Sequence, residues 1–439
     1  MSNQNIIERI NPADSFTLAM DQEIRNDGLP GSYGCFALEF TSSPNIPVLQ
    51  SRIKELSERF PIILSSLQQH GKHFFWCKRE KAPELFFQHH CPSNQEEDAF
   101  HKNQIDSLIN YRKNREHISP MEFHFITGSQ KHTLLIRWIH PFCDARGTEL
   151  ILKFLCTDDI NLRMKFGTPE TKPLVNIQLE KYRWWQRINL FFKGKNFIKK
   201  LDTLPSIQPL TNTNAPKKLN FLIQRLTESE SQQVIQLARK HVGITGISLY
   251  YIGCLMRALD TFYTTHQGEA YCVPYAFNLR KQRAVTPMTG NHICALFAQA
   301  PRNILDNREE LFNYLKKQNH DMIRNQQDYA FLPLMWAGSW LSLNDYGKVL
   351  RLTDSGSERS SFWFSDIGQL NFPNNKFLDS EIKSIFHMCQ VTTPPGLAFL
   401  SCIYKDRLTF SYSFIEPLTN CEQIKMLQAI VRLELLGQS

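Results

Sequence analysis

The stretch WIHPFCDARGTELILKFL, residues 138–155, decides how this chain is read. An apolar run ends at His140, an aspartate follows four residues later, and Gly147 precedes a segment that places Leu150, Ile151, Phe154 and Leu155 on one helical face. A strand that ends in a tight loop and then a helix projects a side chain from a rigid sheet edge, the perch a general base requires. Among the 14 histidines, His140 alone has a carboxylate four residues on, although chance supplies about one such pair in a chain of this make-up. Spacing therefore leaves two readings open. His140 is a base steadied by its surroundings, or it merely ends a strand while Asp144 caps the free N–H groups of the following helix.

Working outward, the first half alternates sheet and helix. Residues 33–41, 73–77, 121–127 and 132–139 have strand character, and 47–67 carries apolar residues at helical spacing, running into the break at Pro61. The second half opens with a strand in KLNFLIQRL, followed by helices in SESQQVIQLARKH and GISLYYIGCLMRALDTFY and a strand in AYCVPYAFNLR. Further strands are expected at 292–300, 396–404 and 407–415, the last two forming a hairpin across KDR, and CEQIKMLQAIVRLELL is a closing helix. Between the halves, prolines at 169, 173, 205, 209 and 216 bracket a change of character. This pattern predicts an α/β (α+β) protein of two related subdomains meeting at a cleft, with boundaries at 1–168, a crossover linker at 169–216, and 217–439.

Composition agrees with two globular units. A chain of 439 residues exceeds one ordinary core, and 42% apolar with 21% charged residues is typical of folded protein throughout. The opening MSNQNIIERINPADSF has charges of both signs and no apolar core of a signal peptide, and no run approaches the ~18 apolar residues of a spanning helix. A cytoplasmic location is the expectation, with peripheral membrane contact left open. Eleven cysteines without CxxC pairs fit reduced, buried thiols, and a formal charge of +8 favours anionic partners. The tandem His89 and His90 lack a suitably spaced carboxylate or second pair, so a surface loop is expected there and no metal site.

The linker contains KYRWWQRINLFFKGKNFIKKL, residues 181–201, with seven Lys or Arg, no acid, two Trp, three Phe and one Tyr. Such a mixture suits a membrane interface, where aromatics sit at headgroup depth beside cations. It equally suits a crossover segment packed by its aromatics against the protein, since Gly194 and its lysines interrupt the helical stripe. No recognisable nucleic-acid module surrounds it, so a nucleic-acid partner is not expected.

HPFCDARGTELILKFL resembles the HHxxxDG-plus-helix motif of the chloramphenicol acetyltransferase-like superfamily, which includes peptide-synthetase condensation domains, plant BAHD acyltransferases and alcohol or wax-ester acyltransferases. Two departures are visible: Ile139 stands where condensation domains have a first histidine, and Ala145 replaces the glycine after the aspartate, a place where positive φ would strain it. LSERFPIILSSL, FNLRKQR with TGNHI, FWFSDIGQL and GLAFLSCIYKDRLTFSYSFIEP are similar to further family segments in the same order. The resemblance implies two subdomains with the active site in a tunnel between them, and a transferase using no metal and no bound cofactor. Acyl-coenzyme A, or an acyl carrier protein, would be the donor and a small hydrophobic alcohol or amine the acceptor. His140 would be the general base, Asp144 would turn away to pair with Arg280 and hold the loop, and Ser365 would donate to the oxyanion, with Asp366 in place of the usual asparagine. Ester formation is the leading reading. A free-standing amide-forming condensation enzyme, or an inactive relative that binds lipid or carrier protein, are its alternatives.

Overall fold

The computed structural model describes residues 6–166, 174–209, 214–263, 267–280 and 287–438, apart from the side chain at 328. Two six-stranded mixed sheets organise it. The first runs, in order, Lys376–Phe377, Ser380–Cys389, Tyr33–Phe40, His132–Ile139, Met121–Thr127 and Phe86–His90, the last pair parallel. The second runs Ile293–Pro301, Ala270–Asn278, Trp363–Gln369, Leu397–Tyr404, Arg407–Glu416 and Lys218–Arg225, with Trp363–Gln369 parallel to its neighbours. Each sheet has its own apolar core. Phe36, Phe123, Ile136 and Phe154 centre the first, and Tyr251, Leu255, Phe399 and Phe410 the second.

The expected two-subdomain α/β architecture is present, with one departure in its bookkeeping along the chain. Residues 217–439 do not form the second unit alone, because Lys376–Cys389 cross over and pair with Tyr33–Phe40 in the first sheet. The expected boundary at 168/169 lies outside the described residues. The strand over 73–77 is found as His73–Lys78, but it belongs to a separate three-stranded sheet with Ile6–Arg9 and Ser65–His70. The helix expected across 47–67 stops at Arg59, since Pro61 has no N–H to continue it; a short 3₁₀ turn follows, and Ser65 begins a strand. His89 and His90 are not in a loop: they end the edge strand Phe86–His90, where His89 Nε2 lies 3.2 Å from His124 Nδ1. Among the described residues no three His, Cys, Asp or Glu side chains gather as metal ligands. The closing hairpin forms as read, with Lys405 and Asp406 both at positive φ in its two-residue turn.

The 169–216 segment is not an irregular linker. Its described part includes helices Leu174–Glu180 and Trp184–Leu201. The second, hereafter the crossover helix, buries Leu190, Gly194, Phe197 and Leu201, a stripe at helical spacing. Gly194 is part of that stripe rather than its interruption, because the helix Gln327–Gly338 crosses here: a Cβ on Gly194 would lie 2.7 Å from the Ala330 carbonyl oxygen and 2.7 Å from Leu334 Cδ1. Gly194→Ala is therefore expected to lower stability by about 1–2 kcal/mol in thermal unfolding, despite a helix propensity about 1 kcal/mol better for alanine.

Candidate active site

The central strand His132–Ile139 delivers His140 to the seam between the two sheets. Its backbone is clamped on both sides: the N–H donates to the Ser32 carbonyl at 2.8 Å, and the carbonyl accepts from Asn291 Nδ2 at 2.7 Å. Phe142 and Cys143, both fully buried, anchor the loop, and the Trp138 indole closes it by donating to the Cys143 carbonyl at 2.8 Å. Within the imidazole, Nδ1 is buried without a hydrogen-bond partner, and His140 lines the cavity. Burial pushes the pKa of His140 below the usual imidazole value; the Asp144 charge, its own carbonyl and Asn291 pull more weakly the other way. Burial thus disfavours the charged imidazolium.

Asp144 performs both duties the sequence left open. It is the N-cap of helix Ala145–Cys156, Oδ1 accepting from Gly147 N at 2.8 Å. It also takes Arg280 Nη1 at 2.9 and 2.7 Å on its two oxygens, and His292 N at 2.8 Å on Oδ2. Both side chains of the pair are 4% exposed. Burial alone would raise the carboxyl pKa, but Arg280 and the donated N–H groups outweigh it and hold the value at about 2. The carboxylate oxygens accept from Arg280, Gly147 and His292.

Ala145 is the first residue of a right-handed helix and is not among the positive-φ residues, so the missing glycine causes no strain. The glycine that the local packing does require is Gly147, where a Cβ would meet the Met288 carbonyl oxygen at 2.3 Å. Ser365 sits on Trp363–Gln369 and lines the same cavity as His140. Asp366 accepts from Ser248 Oγ at 2.8 Å, and from Ser401 Oγ and Gly368 N at 2.9 Å each. A carboxylate suits this position because all three neighbours are donors. The Lys281–Arg283 end of FNLRKQR lies outside the described residues.

Two participants escaped the sequence reading. Asp14, in a capping box with Asn11 at the start of helix Pro12–Asn26, accepts from Asn291 N at 2.7 Å and Nδ2 at 3.0 Å. Asn291 in turn holds the His140 carbonyl, so the N-terminal helix reaches the histidine through one side chain. The only sequence signal for Asp14 is the helix start NPAD, which points to capping and not to a partner 277 residues away. The other is His387, buried with both ring nitrogens unpartnered and lining the cavity.

The cavity measures about 930 Å³, in the upper range for small-molecule sites. Phe16, Met20, Ile24, Phe331 and Phe364 make its walls predominantly apolar, and both sheets contribute to it.

Three outcomes are expected. Arg280→Ala strands a buried carboxylate and should cost about 3–5 kcal/mol in urea unfolding, with Arg280→Lys intermediate. Because the folded pKa of Asp144 is depressed from 3.8 to about 2, its stabilisation is fully present above pH 4 and lost as pH falls towards 2. The acid decline in stability, about 2 kcal/mol from this group, should flatten in Asp144→Asn. Ala145→Gly should leave any turnover within about twofold of wild type and change stability by less than about 1 kcal/mol.

No family model matches the chain, and no curated protein matches it in sequence. Solved structures do match its fold over nearly their whole length. The trichothecene 15-O-acetyltransferase TRI3 from Fusarium sporotrichioides superposes with a TM-score of 0.70 at 11% identity, covering 99% of this chain and 97% of that one. A mutant starter condensation domain of rhizomide synthetase RzmA, in complex with C8-CoA, gives 0.67 at 10% identity, covering 98% and 95%. The epimerization domain from the third module of tyrocidine synthetase B gives 0.61 at 13% identity, covering 100% and 98%. With two mixed sheets meeting at a shared cavity, the chain has the two-subdomain chloramphenicol acetyltransferase-like fold of condensation domains and acetyltransferases.

Proposed function

We propose that the protein is an acyltransferase that moves an acyl group from a coenzyme A or carrier-protein thioester to the hydroxyl of a hydrophobic acceptor. Fold alone does not carry this, since one fold hosts different chemistries. The observation that carries it is a histidine lining a large apolar cavity, its charged form disfavoured by burial, on a loop held by the Asp144–Arg280 pair. An acetyltransferase and a C8-CoA complex among the structural neighbours support the reading.

In this scheme His140 Nε2 accepts the acceptor O–H proton as the oxygen attacks the thioester carbonyl carbon. The Ser365 hydroxyl donates to the oxyanion of the tetrahedral intermediate, a fixed hydrogen bond worth about 3 kcal/mol in comparable sites. Collapse breaks the C–S bond, the thiolate takes the proton back from Nε2, and ester and thiol leave. Every proton is returned, so the chain's own residues balance the reaction. The apolar walls favour an acceptor with substantial hydrocarbon surface, at roughly 25 cal/mol per Å² removed from water.

The test is thiol release from a panel of acyl-coenzyme A donors, with and without alcohol and amine acceptors. Acceptor-dependent release should fall at least about 10²-fold in both His140→Ala and Ser365→Ala. Turnover that survives His140→Ala would overturn the mechanism. Because burial lowers the His140 pKa, the acid limb of kcat/KM should lie below the ordinary value of 6.5; a limb above it would contradict the buried neutral base.

A further inference from the structure

The crossover helix Trp184–Leu201 has two sides, and packing explains only one. Leu190, Gly194, Phe197 and Leu201 are buried against the protein. A second face leaves large apolar side chains in water: Trp184 is 68% exposed, Trp185 48%, Ile188 48% and Phe192 54%. Trp184, Ile188 and Phe192 follow at intervals of four, so they form one stripe along the helix. On that same side, seven residues further along, Phe191, Lys195 and Lys199, with Ile198 beside them, line the cavity that holds His140, and both lysines are exposed as well, which places them at its mouth.

Charge selects the occupant of the exposed face. From Lys181 to Leu201 there are seven cations and no acid. Among the described residues Lys195, Lys199 and Lys200 have no carboxylate within ion-pair distance. We infer that this face docks on an anionic lipid bilayer, with the indoles and Phe192 at headgroup depth and the lysines against lipid phosphates, so that the cavity mouth opens at the membrane surface. The helix is about 27 Å long, and such a face sinks about 5–10 Å into the headgroup region. Each cation near the surface adds attraction that salt screens. The arrangement is peripheral: among the described residues no single helix is long and apolar enough to cross a membrane. Val349, 59% exposed at the cavity rim, extends the apolar margin around the same mouth.

Docking stands whatever reaction the cavity runs. Its consequence rests on the acyl-transfer reading: a hydrophobic acceptor would pass from the bilayer into the cavity without crossing water.

The experiment is cosedimentation of the intact chain with phosphatidylcholine vesicles, with and without phosphatidylglycerol, at low and high salt. Binding should require the anionic lipid and weaken with salt. Replacing Trp184, Trp185, Ile188 and Phe192 together by serine should reduce it more than about tenfold while leaving the thermal transition in place, because all four are exposed. Lipids brominated along the acyl chain should quench tryptophan emission in the wild type and less in that variant. Lack of sedimentation with anionic vesicles at low salt, or sedimentation indifferent to the four substitutions, would overturn the proposal, as would equal protection of these side chains by an RNA oligonucleotide. For delivery, the serine variant should keep wild-type thiol release with a water-soluble alcohol and lose it about tenfold with a vesicle-borne one. Equal release from both sources would reject delivery alone; no release from any source would reject the acyl-transfer reading and leave docking standing.

Discussion

The buried pair between Asp144 and Arg280 is the constraint on which the site depends. It joins residues 136 apart and ties the first sheet's motif loop to the segment just after the second sheet's strand Ala270–Asn278. Removing both charges from water is costly, and the geometry offsets that cost by giving the carboxylate four hydrogen bonds: two from Arg280 Nη1, one from the Gly147 N–H that caps the motif helix, and one from the His292 N–H. The same carboxylate thus begins a helix and holds two half-molecules in register. His140 benefits without touching Arg280. Its backbone is fixed by Ser32 and Asn291, and its loop has no freedom left once Asp144 is locked.

Much of this was legible in the sequence because it rests on short-range rules. The strand, tight loop and amphipathic helix around His140 follow from periodicity, and the Asp144 cap from its place before the helix. Arg280 could be named only through resemblance, since nothing local links positions 144 and 280. Asp14 was not legible at all: its capping role is complete within four residues, and its second task, supporting Asn291, appears only when the chain is folded. Ala145 shows the opposite case, a departure that looked strained in one dimension and carries no backbone strain in three. The crossing of Lys376–Cys389 into the first sheet was missed because strand periodicity reports that a strand exists and says nothing about which partner it finds.

The crossover helix shows why composition alone left two readings open. Its basic, aromatic make-up fits both packing and surface exposure, and the folded helix does both on different faces. Gly194 was the misleading residue, read as an interruption when it marks the closest approach of another helix. A helix that packs on one side while the other both faces water with tryptophans and walls a cavity has no single hydrophobic direction, so periodicity describes it poorly.

The exchange of strands carries a consequence for synthesis. Tyr33–Phe40 are made early, yet one of their two flanking partners, Ser380–Cys389, leaves the ribosome some 340 residues later. Throughout that interval an apolar strand has one edge of backbone N–H and C=O groups unpaired, the situation in which nascent chains pair with the wrong neighbour. Cutting the chain at the apparent midpoint would make this temporary exposure permanent, leaving the first piece an open sheet edge and the second a loose strand. The two halves, joined by a shared apolar cluster as well as by this strand, are therefore one unit in biogenesis.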